Sequence, residues 1–269
     1  MKNTVKIAVV TIVFSVLLTA CPRKTDQSKE QESVTTDTLV IEKTLTIVFL
    51  DVSGSFNKVQ KQGGLFQGKN YFDESCKELV RRIRTDMKIG EEYMIVKSIR
   101  DQSFSDETLI CKIDLTDDKY IFKKPIPDND MRKNRWEKEK NEFENDVRAK
   151  IGEDKEKVIV LINEFKDYYI KNPTNRTDIV NAFNGIKPVI ESDKYANYKK
   201  KFIVYSDFIE TRQSLNDLTI DLKDVEIEGR FVSKNDFSSL DDYYKNLDKW
   251  KTILKCKKLT FKTPEECIK

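Results

Sequence analysis

The chain has 269 residues, of which 38% are hydrophobic and 35% are charged, and its 49 Lys and Arg side chains nearly balance 46 Asp and Glu side chains. The hydrophobic residues occur in blocks long enough to form a core, which excludes a disordered chain, and the balanced charge argues against a nucleic-acid-binding protein. The sequence contains no histidine. Catalysis by a Ser-His-Asp triad or a Cys-His pair is therefore excluded, as are imidazole metal ligands.

Residues 1–20 have the composition of an export signal. Two lysines precede an apolar run over residues 7–18, which is shorter than the roughly 20 residues that a bilayer-spanning helix needs. The Leu-Thr-Ala-Cys sequence that ends at Cys21 resembles the lipobox of bacterial lipoproteins. That resemblance implies cleavage before Cys21, acylation of this cysteine by palmitate or a similar fatty acid, and attachment to a membrane of the bacterial cell envelope. An uncleaved membrane anchor is the alternative.

The segment 21–43 is polar and charged, without apolar periodicity until Leu39. We interpret it as the lipidated cysteine followed by a flexible tether, whose end-to-end distance is on the order of 25 Å. Residues 44–269 then form the folded part, and their number favours one enlarged domain over two.

Apolar runs alternate with amphipathic segments along the folded part. Strands are predicted at Thr44–Leu50, Glu91–Ile99, Thr108–Leu115, Lys201–Tyr205, Val225–Val232 and Leu259–Phe261. Helical spacing of apolar residues predicts helices at 73–87, directly after Thr177, and at 237–254. Most strands are apolar on both sides, which predicts an α/β fold with a Rossmann-like, mostly parallel sheet and helices on both faces. The strand at 225–232 alternates more clearly and is expected nearer an edge.

A strongly charged stretch from 128 to about 170 lies between the third and fourth predicted strands. Its apolar residues recur at helical spacing, which predicts one long helix or a helical hairpin, with Gly152 as a candidate position for a break or kink. Two interpretations of this insertion stay open. It is either a solvated spacer, as charged helices usually are, or a partner-binding arm.

Polar side chains follow the first predicted strand directly, in the Asp-x-Ser-x-Ser loop of Asp51, Ser53 and Ser55. Ligands of open α/β sheets bind at the carboxyl ends of the strands, and carboxylate and hydroxyl oxygens suit Mg²⁺, Mn²⁺ or Ca²⁺ rather than zinc. Alone, the loop also suits a turn that caps the next helix. Thr177 precedes an amphipathic helix, where an ordinary N-cap is the alternative, and Asp207 follows the fourth predicted strand, where a plain loop residue is the alternative.

Together these three segments resemble a von Willebrand factor type A domain with its metal-ion-dependent adhesion site. In that family, the Asp-x-Ser-x-Ser loop, a Thr before a later helix and an Asp after the following strand converge on one divalent cation. The resemblance implies that Ser53, Ser55 and Thr177 contact the cation through their hydroxyls. It further implies that Asp51 and Asp207 bind directly or through water, and that a partner protein supplies a carboxylate to an open coordination position. Mg²⁺ is the expected ion, with Mn²⁺ or Ca²⁺ as alternatives.

The sequence departs from that family at Arg176, where a glycine is frequent. A cation beside the site either weakens metal affinity or recruits an acidic partner. Cys256 and Cys267 flank the last predicted strand, and we expect them to form a disulfide in an exported protein. Buried free thiols are the alternative, especially at Cys76 and Cys111.

These features predict a membrane-anchored bacterial lipoprotein that is not an enzyme. It is expected on the periplasmic or surface face, binding a protein partner through a divalent cation in adhesion or envelope-complex assembly. One alternative is a metal-independent scaffold that binds through the helical insertion. A metal-dependent hydrolase is a third, weaker alternative, because the sequence offers no separate base or nucleophile for turnover. A haloacid-dehalogenase-type phosphatase is disfavoured, because it needs a second Asp where this chain has Ser53.

Overall fold

A single six-stranded sheet organises the molecule, which is described by a computed structural model over residues 42–61, 66–104 and 106–267. The strands are β1 Thr44–Asp51, β2 Glu92–Ile99, β3 Leu109–Asp114, β4 Lys199–Tyr205, β5 Ile220–Arg230 and β6 Leu254–Lys262. Their order is β3-β2-β1-β4-β5-β6, and every neighbouring pair is parallel except β2 and β3. The predicted α/β fold with a mostly parallel sheet is confirmed.

Helices cover both faces of this sheet. They are α1 Tyr71–Thr85, α2 Asp130–Lys171, α3 Ile179–Ile190, α4 Leu240–Ile253 and the short α5 Pro264–Cys267. One core cluster contains side chains of α3 and α4, and the other contains side chains of α1, α2 and α5. The predicted arrangement of helices on both faces is therefore also confirmed.

Strand β1 shows why its sequence is apolar without alternation. Leu45, Ile47 and Phe49 belong to the core cluster on one face, whereas Val48 and Leu50 belong to the cluster on the other. Successive side chains of a strand point to opposite faces, so a strand covered on both sides favours apolar residues on both of its faces.

The strand order reverses between β1 and β4. From β1 the chain builds β2 and β3 on one side and then returns to build β4, β5 and β6 on the other. The loops that leave such neighbouring strands diverge, and the crevice at their carboxyl ends is where open α/β sheets bind ligands.

The inserted helix α2 is one continuous element of 42 residues, with no break at Gly152. Apolar residues on both sides of this glycine, including Val147, Ile151, Val158 and Ile162, pack into one core cluster. A glycine inside a helix costs only about 1 kcal/mol relative to alanine, which this packing outweighs.

Strand β5 is second from the edge of the sheet and thus lies nearer an edge than β1 or β4, as predicted. Two other predictions differ from the structure. Strand β6 is longer than the predicted strand at 259–261, because it begins at Leu254 and continues to Lys262 in parallel with β5. The predicted disulfide is wrong, since Cys256 and Cys267 are both free. Cys256 packs against the core cluster on one face of the sheet, whereas Cys267 belongs to the cluster on the other face.

The predicted signal peptide, the acylated Cys21 and nearly all of the tether lie outside the described residues. In the part of the chain that is described, no helix combines the length and hydrophobicity needed to cross a membrane.

Candidate metal centre

The two predicted aspartates lie at the carboxyl ends of adjacent strands. Asp51 is the last residue of β1, and Asp207 follows β4 by two residues. Leu50 pairs with Tyr205 in the sheet register, so the two loops start side by side at the point where the strand order reverses. Both aspartates are 0% exposed.

Asp51 ties two loops together. Its Oδ1 accepts a hydrogen bond from the backbone N–H of Ser53 at 2.9 Å, and its Oδ2 accepts one from the hydroxyl of Ser206 at 2.6 Å. The first bond folds the loop after β1, and the second joins it to the loop after β4. Nearby, the hydroxyl oxygens of Ser53 and Ser55 are 3.1 Å apart.

Among the described residues, Asp207 accepts a hydrogen bond through only one of its two carboxylate oxygens. Oδ1 accepts a hydrogen bond from the N–H of Ile209 at 2.9 Å. Oδ2 is buried and has no hydrogen-bond partner among the described residues. Buried carboxylate oxygens are normally satisfied, so this one is available to a ligand.

The backbone places Thr177 between the same two loops. Thr174 bridges to the loop after β1, since its carbonyl accepts from Gly54 N–H at 2.8 Å and its N–H donates to Val52 O at 3.0 Å. Three residues later, the carbonyl of Thr177 accepts from the N–H groups of Thr211 and Arg212, in the loop after β4. The long insertion therefore does not separate Thr177 from the other predicted ligands.

The hydroxyl of Thr177 is not used as a helix cap. The cap of α3 is Asp178, whose side chain accepts from the N–H of Asn181, and Glu210 accepts from Ile179 and Val180. Thr177 is fully buried, and its Oγ1 has no hydrogen-bond partner in the part of the chain that the structure describes. The N-cap alternative is therefore excluded.

Burial disfavours the ionised form of both carboxylates. Burial, and after it the charge of Asp207, raise the pKa of Asp51 from 3.8 to about 7, although hydrogen bonds from Ser206 and Ser53 lower it. Burial likewise raises the pKa of Asp207, against the opposing effects of the Ile209 N–H, the Ser55 hydroxyl and the Lys58 ammonium. Two buried carboxylates that disfavour each other's ionisation are expected to gain from a bound cation.

Three residues near this site were not predicted from the sequence. Ser206 bonds to Asp51, and Asp236 is a further buried carboxylate whose pKa responds to the charge of Asp207. Lys58 Nζ lies 3.6 Å from Asp236 Oδ1. The same rule that selected Asp207, a carboxylate shortly after the carboxyl end of a predicted strand, would have selected Asp236.

Comparison of the chain with protein-family models gives no match, and comparison with curated protein sequences gives none either. The resemblance to a von Willebrand A domain is therefore one of motif residues and their order in the sequence.

The ligand atoms present at this site determine which metal ion could bind there. Within the described residues, no three Asp, Glu, Cys or His side chains converge in a way that suits a metal ion. A cation at this position would thus be held by hydroxyl oxygens, two carboxylates and water, which are ligands that Mg²⁺ and Mn²⁺ accept. The oxygens Thr177 Oγ1 and Asp207 Oδ2 fit such an ion, because both are buried and neither has a hydrogen-bond partner among the described residues.

Proposed function

We propose that this protein is a bacterial envelope lipoprotein whose von Willebrand A-like domain binds a divalent cation, preferably Mg²⁺, and through it a carboxylate of a partner protein. The observation that carries the proposal is the pair of unused, buried oxygens, Thr177 Oγ1 and Asp207 Oδ2. They come from separate loops that hydrogen bonds join to each other and to the Asp-x-Ser-x-Ser loop.

The chain's own residues would hold the cation and keep its loops in place. Ser53, Ser55 and Thr177 would provide hydroxyl oxygens, and Asp207 would provide Oδ2. Asp51 would bind less directly, since both of its oxygens already hold the loops together. The cation, when bound, supplies an electrophilic position for an incoming carboxylate.

Binding rather than turnover is proposed for two reasons. The chain has no histidine to act as a base near neutral pH. The serines and aspartates of the site are also those that would hold the ion, which leaves no separate nucleophile or general acid among them.

Thermal unfolding of the full chain with Mg²⁺, Mn²⁺, Ca²⁺ or EDTA tests the cation site. A ligand that binds only the folded state stabilises it, by about 1.4 kcal/mol at ten times its dissociation constant. For a domain of this size we expect a rise in Tm of about 3–5 °C. The rise should vanish in Asp51→Asn and persist in Asp221→Asn, which changes an exposed aspartate at the start of β5.

A rise in Tm that is equal in Asp51→Asn and in the unaltered protein would contradict this site. No rise with any of the three ions at millimolar concentration would contradict the cation-dependent function.

A second candidate function uses the helix α2. Its side chains Val160, Leu161 and Tyr168 are 52%, 45% and 59% exposed, which is unusual for large apolar groups that recur along one helix. We propose metal-independent partner binding by this helix as the competing function. It predicts capture of a partner that persists in EDTA and is lost in Leu161→Glu, whereas the cation-dependent function predicts capture that EDTA abolishes.

A further inference from the structure

Asp236 is a buried carboxylate that the proposed cation site does not yet include. It ends a short 3₁₀ turn, Lys234–Asp236, that follows β5. Since β5 lies next to β4, this turn is at the same edge of the sheet as Asp207. The side chain of Asp236 is 1% exposed, and neither of its carboxylate oxygens has a hydrogen-bond partner among the described residues.

The ion pair that Asp236 makes with Lys58 is a loose one. Lys58 Nζ lies 3.6 Å from Asp236 Oδ1, beyond hydrogen-bond distance, and the lysine side chain is 47% exposed. A half-exposed ammonium at this distance only partly offsets the burial of a carboxylate. The pair is therefore a poor explanation of why a buried aspartate stands at this position.

Lys58 also connects Asp236 to the cation site. It lies three residues after Ser55, in the loop that carries the Asp-x-Ser-x-Ser motif, and its charge acts on Asp207 as well as on Asp236. Burial, and next the charge of Asp207, raise the pKa of Asp236 to about 7. Asp207, Asp236 and Lys58 thus form one electrostatic group, although they belong to three different loops.

Together with Asp51, this group has the net charge that one divalent cation would neutralise. When ionised, Asp51, Asp207 and Asp236 carry three negative charges, and Lys58 carries one positive charge. The difference is two negative charges, which a single divalent cation would neutralise. The unused hydroxyl of Thr177 is an independent, uncharged sign that a ligand belongs in this space.

We propose, on the basis of the cation-binding function above, that Asp236 is a positioning residue of the cation site and that Lys58 is the counter-ion that the divalent cation replaces. Because no three carboxylates converge on one point in the described residues, Asp236 would act through water and charge rather than as a direct ligand. Lys58 would partly neutralise the aspartates while the site holds no cation, and the cation would release it toward solvent, where it faces an incoming carboxylate.

The proposal predicts opposite effects on affinity and on stability. Asp236→Asn removes an attractive charge and should weaken Mn²⁺ binding about 10- to 100-fold, the usual effect of losing an outer residue of a metal site. The same change removes a buried charge and should raise the Tm in EDTA. Lys58→Gln removes a competing charge and should strengthen Mn²⁺ binding roughly three- to tenfold, while it lowers the Tm in EDTA.

The experiment is a calorimetric titration of the full chain with Mn²⁺, together with thermal unfolding in EDTA. The matched controls are Asp221→Asn and Lys223→Gln, which break an exposed ion pair of 3.3 Å at the opposite end of β5. Neither control should change Mn²⁺ affinity.

Three outcomes decide the matter. Opposite shifts of affinity in Asp236→Asn and Lys58→Gln, each paired with the reverse shift of Tm, support the proposal. If the unaltered protein binds Mn²⁺ and Asp51→Asn does not, but affinity is unchanged in both new variants or moves in one direction, the role of Asp236 and Lys58 is overturned and the cation site stands. If the unaltered protein binds none of Mn²⁺, Mg²⁺ and Ca²⁺ at millimolar concentration, the cation-binding function fails, and this proposal fails with it.

Discussion

At the scale of single residues, the hydroxyl of Thr177 separates a ligand site from ordinary loop structure. A threonine before a helix usually caps it, but here Asp178 provides the cap and leaves Thr177 Oγ1 buried and unused. An unsatisfied buried hydroxyl costs stability. A residue kept at such a cost suggests a function that the fold alone does not require.

Thr177→Val is therefore expected to separate function from stability. Valine has nearly the same shape and carries no unsatisfied hydroxyl, so the free energy of unfolding without metal should stay the same or rise by up to about 1 kcal/mol. Mg²⁺ affinity should fall at least about tenfold, as for other losses at a metal site. Denaturant unfolding and calorimetric titration measure the two quantities.

The control for this change is Thr116→Val. The hydroxyl of Thr116 bonds to Asp114 at 2.7 Å and lies 2.9 Å from the hydroxyl of Tyr198. This variant should lose about 1 kcal/mol of stability and keep its Mg²⁺ affinity. Unchanged affinity in Thr177→Val would remove this residue from the site.

The raised pKa of Asp51, about 7, predicts that Mg²⁺ binding depends on pH. The cation competes with a proton, so affinity should rise about fivefold between pH 6 and pH 7, reach about tenfold by pH 8 and level off above it. Without metal, Asp51 ionises at a lower pH in the unfolded chain than in the folded one. Its contribution to the free energy of unfolding should therefore fall as pH rises from about 4 to about 7. Titration at constant ionic strength tests this, and an affinity that is constant from pH 6 to pH 8 would contradict it.

At the scale of elements, Gly229 in β5 allows aromatic rings to approach the strand closely. A Cβ at this position would lie 2.6 Å from Phe208 and 2.7 Å from Phe261. Phe208 directly follows Asp207, adopts a positive φ of 59° and accepts a hydrogen bond from Trp250 through its carbonyl. Packing around β5 thus helps to hold the loop that carries Asp207.

Gly229→Ala should accordingly disturb both the fold and the site. Overpacking is expected to cost about 1–3 kcal/mol of stability, and displacement of Phe208 should weaken Mg²⁺ binding. Gly152→Ala is the control, because a Cβ there meets nothing within 4 Å. It should raise the stability of α2 by about 0.5–1 kcal/mol and leave binding unchanged. Equal stability of the two variants in chemical unfolding would contradict this account.

At the scale of the whole molecule, acylation of Cys21 would attach the domain to a membrane through the tether. A Cys21→Ser variant expressed in bacteria should lose fatty-acid labelling and leave the detergent phase on partition. Cys256→Ser, which alters a cysteine of the folded domain, should behave like the unaltered protein. Retention of Cys21→Ser in the detergent phase would favour the uncleaved anchor.

The continuous helix α2 was predicted only as one of two possibilities, a long helix or a hairpin. Its apolar residues recur at the helical period, but the local sequence around Gly152 does not decide whether the helix continues. Packing of Val147, Ile151, Val158 and Ile162 against one core cluster decides it. Similarly, local residues could not reveal that Cys256 and Cys267 contact opposite faces of the sheet.

The sequence by itself determined the α/β fold, because runs such as Thr44–Leu50 carry apolar residues for both faces of a strand, and a sheet covered on both faces buries them. It also identified Asp51, Ser53, Ser55, Thr177 and Asp207 as candidate ligands. Only the tertiary structure decided that Thr177 and Asp207 each bury an oxygen with no hydrogen-bond partner among the described residues, and that Asp236 is buried beside Lys58. The reason is physical: periodicity and strand ends are local properties of a chain, whereas burial, hydrogen-bond partners and opposing charges depend on loops that are distant in sequence.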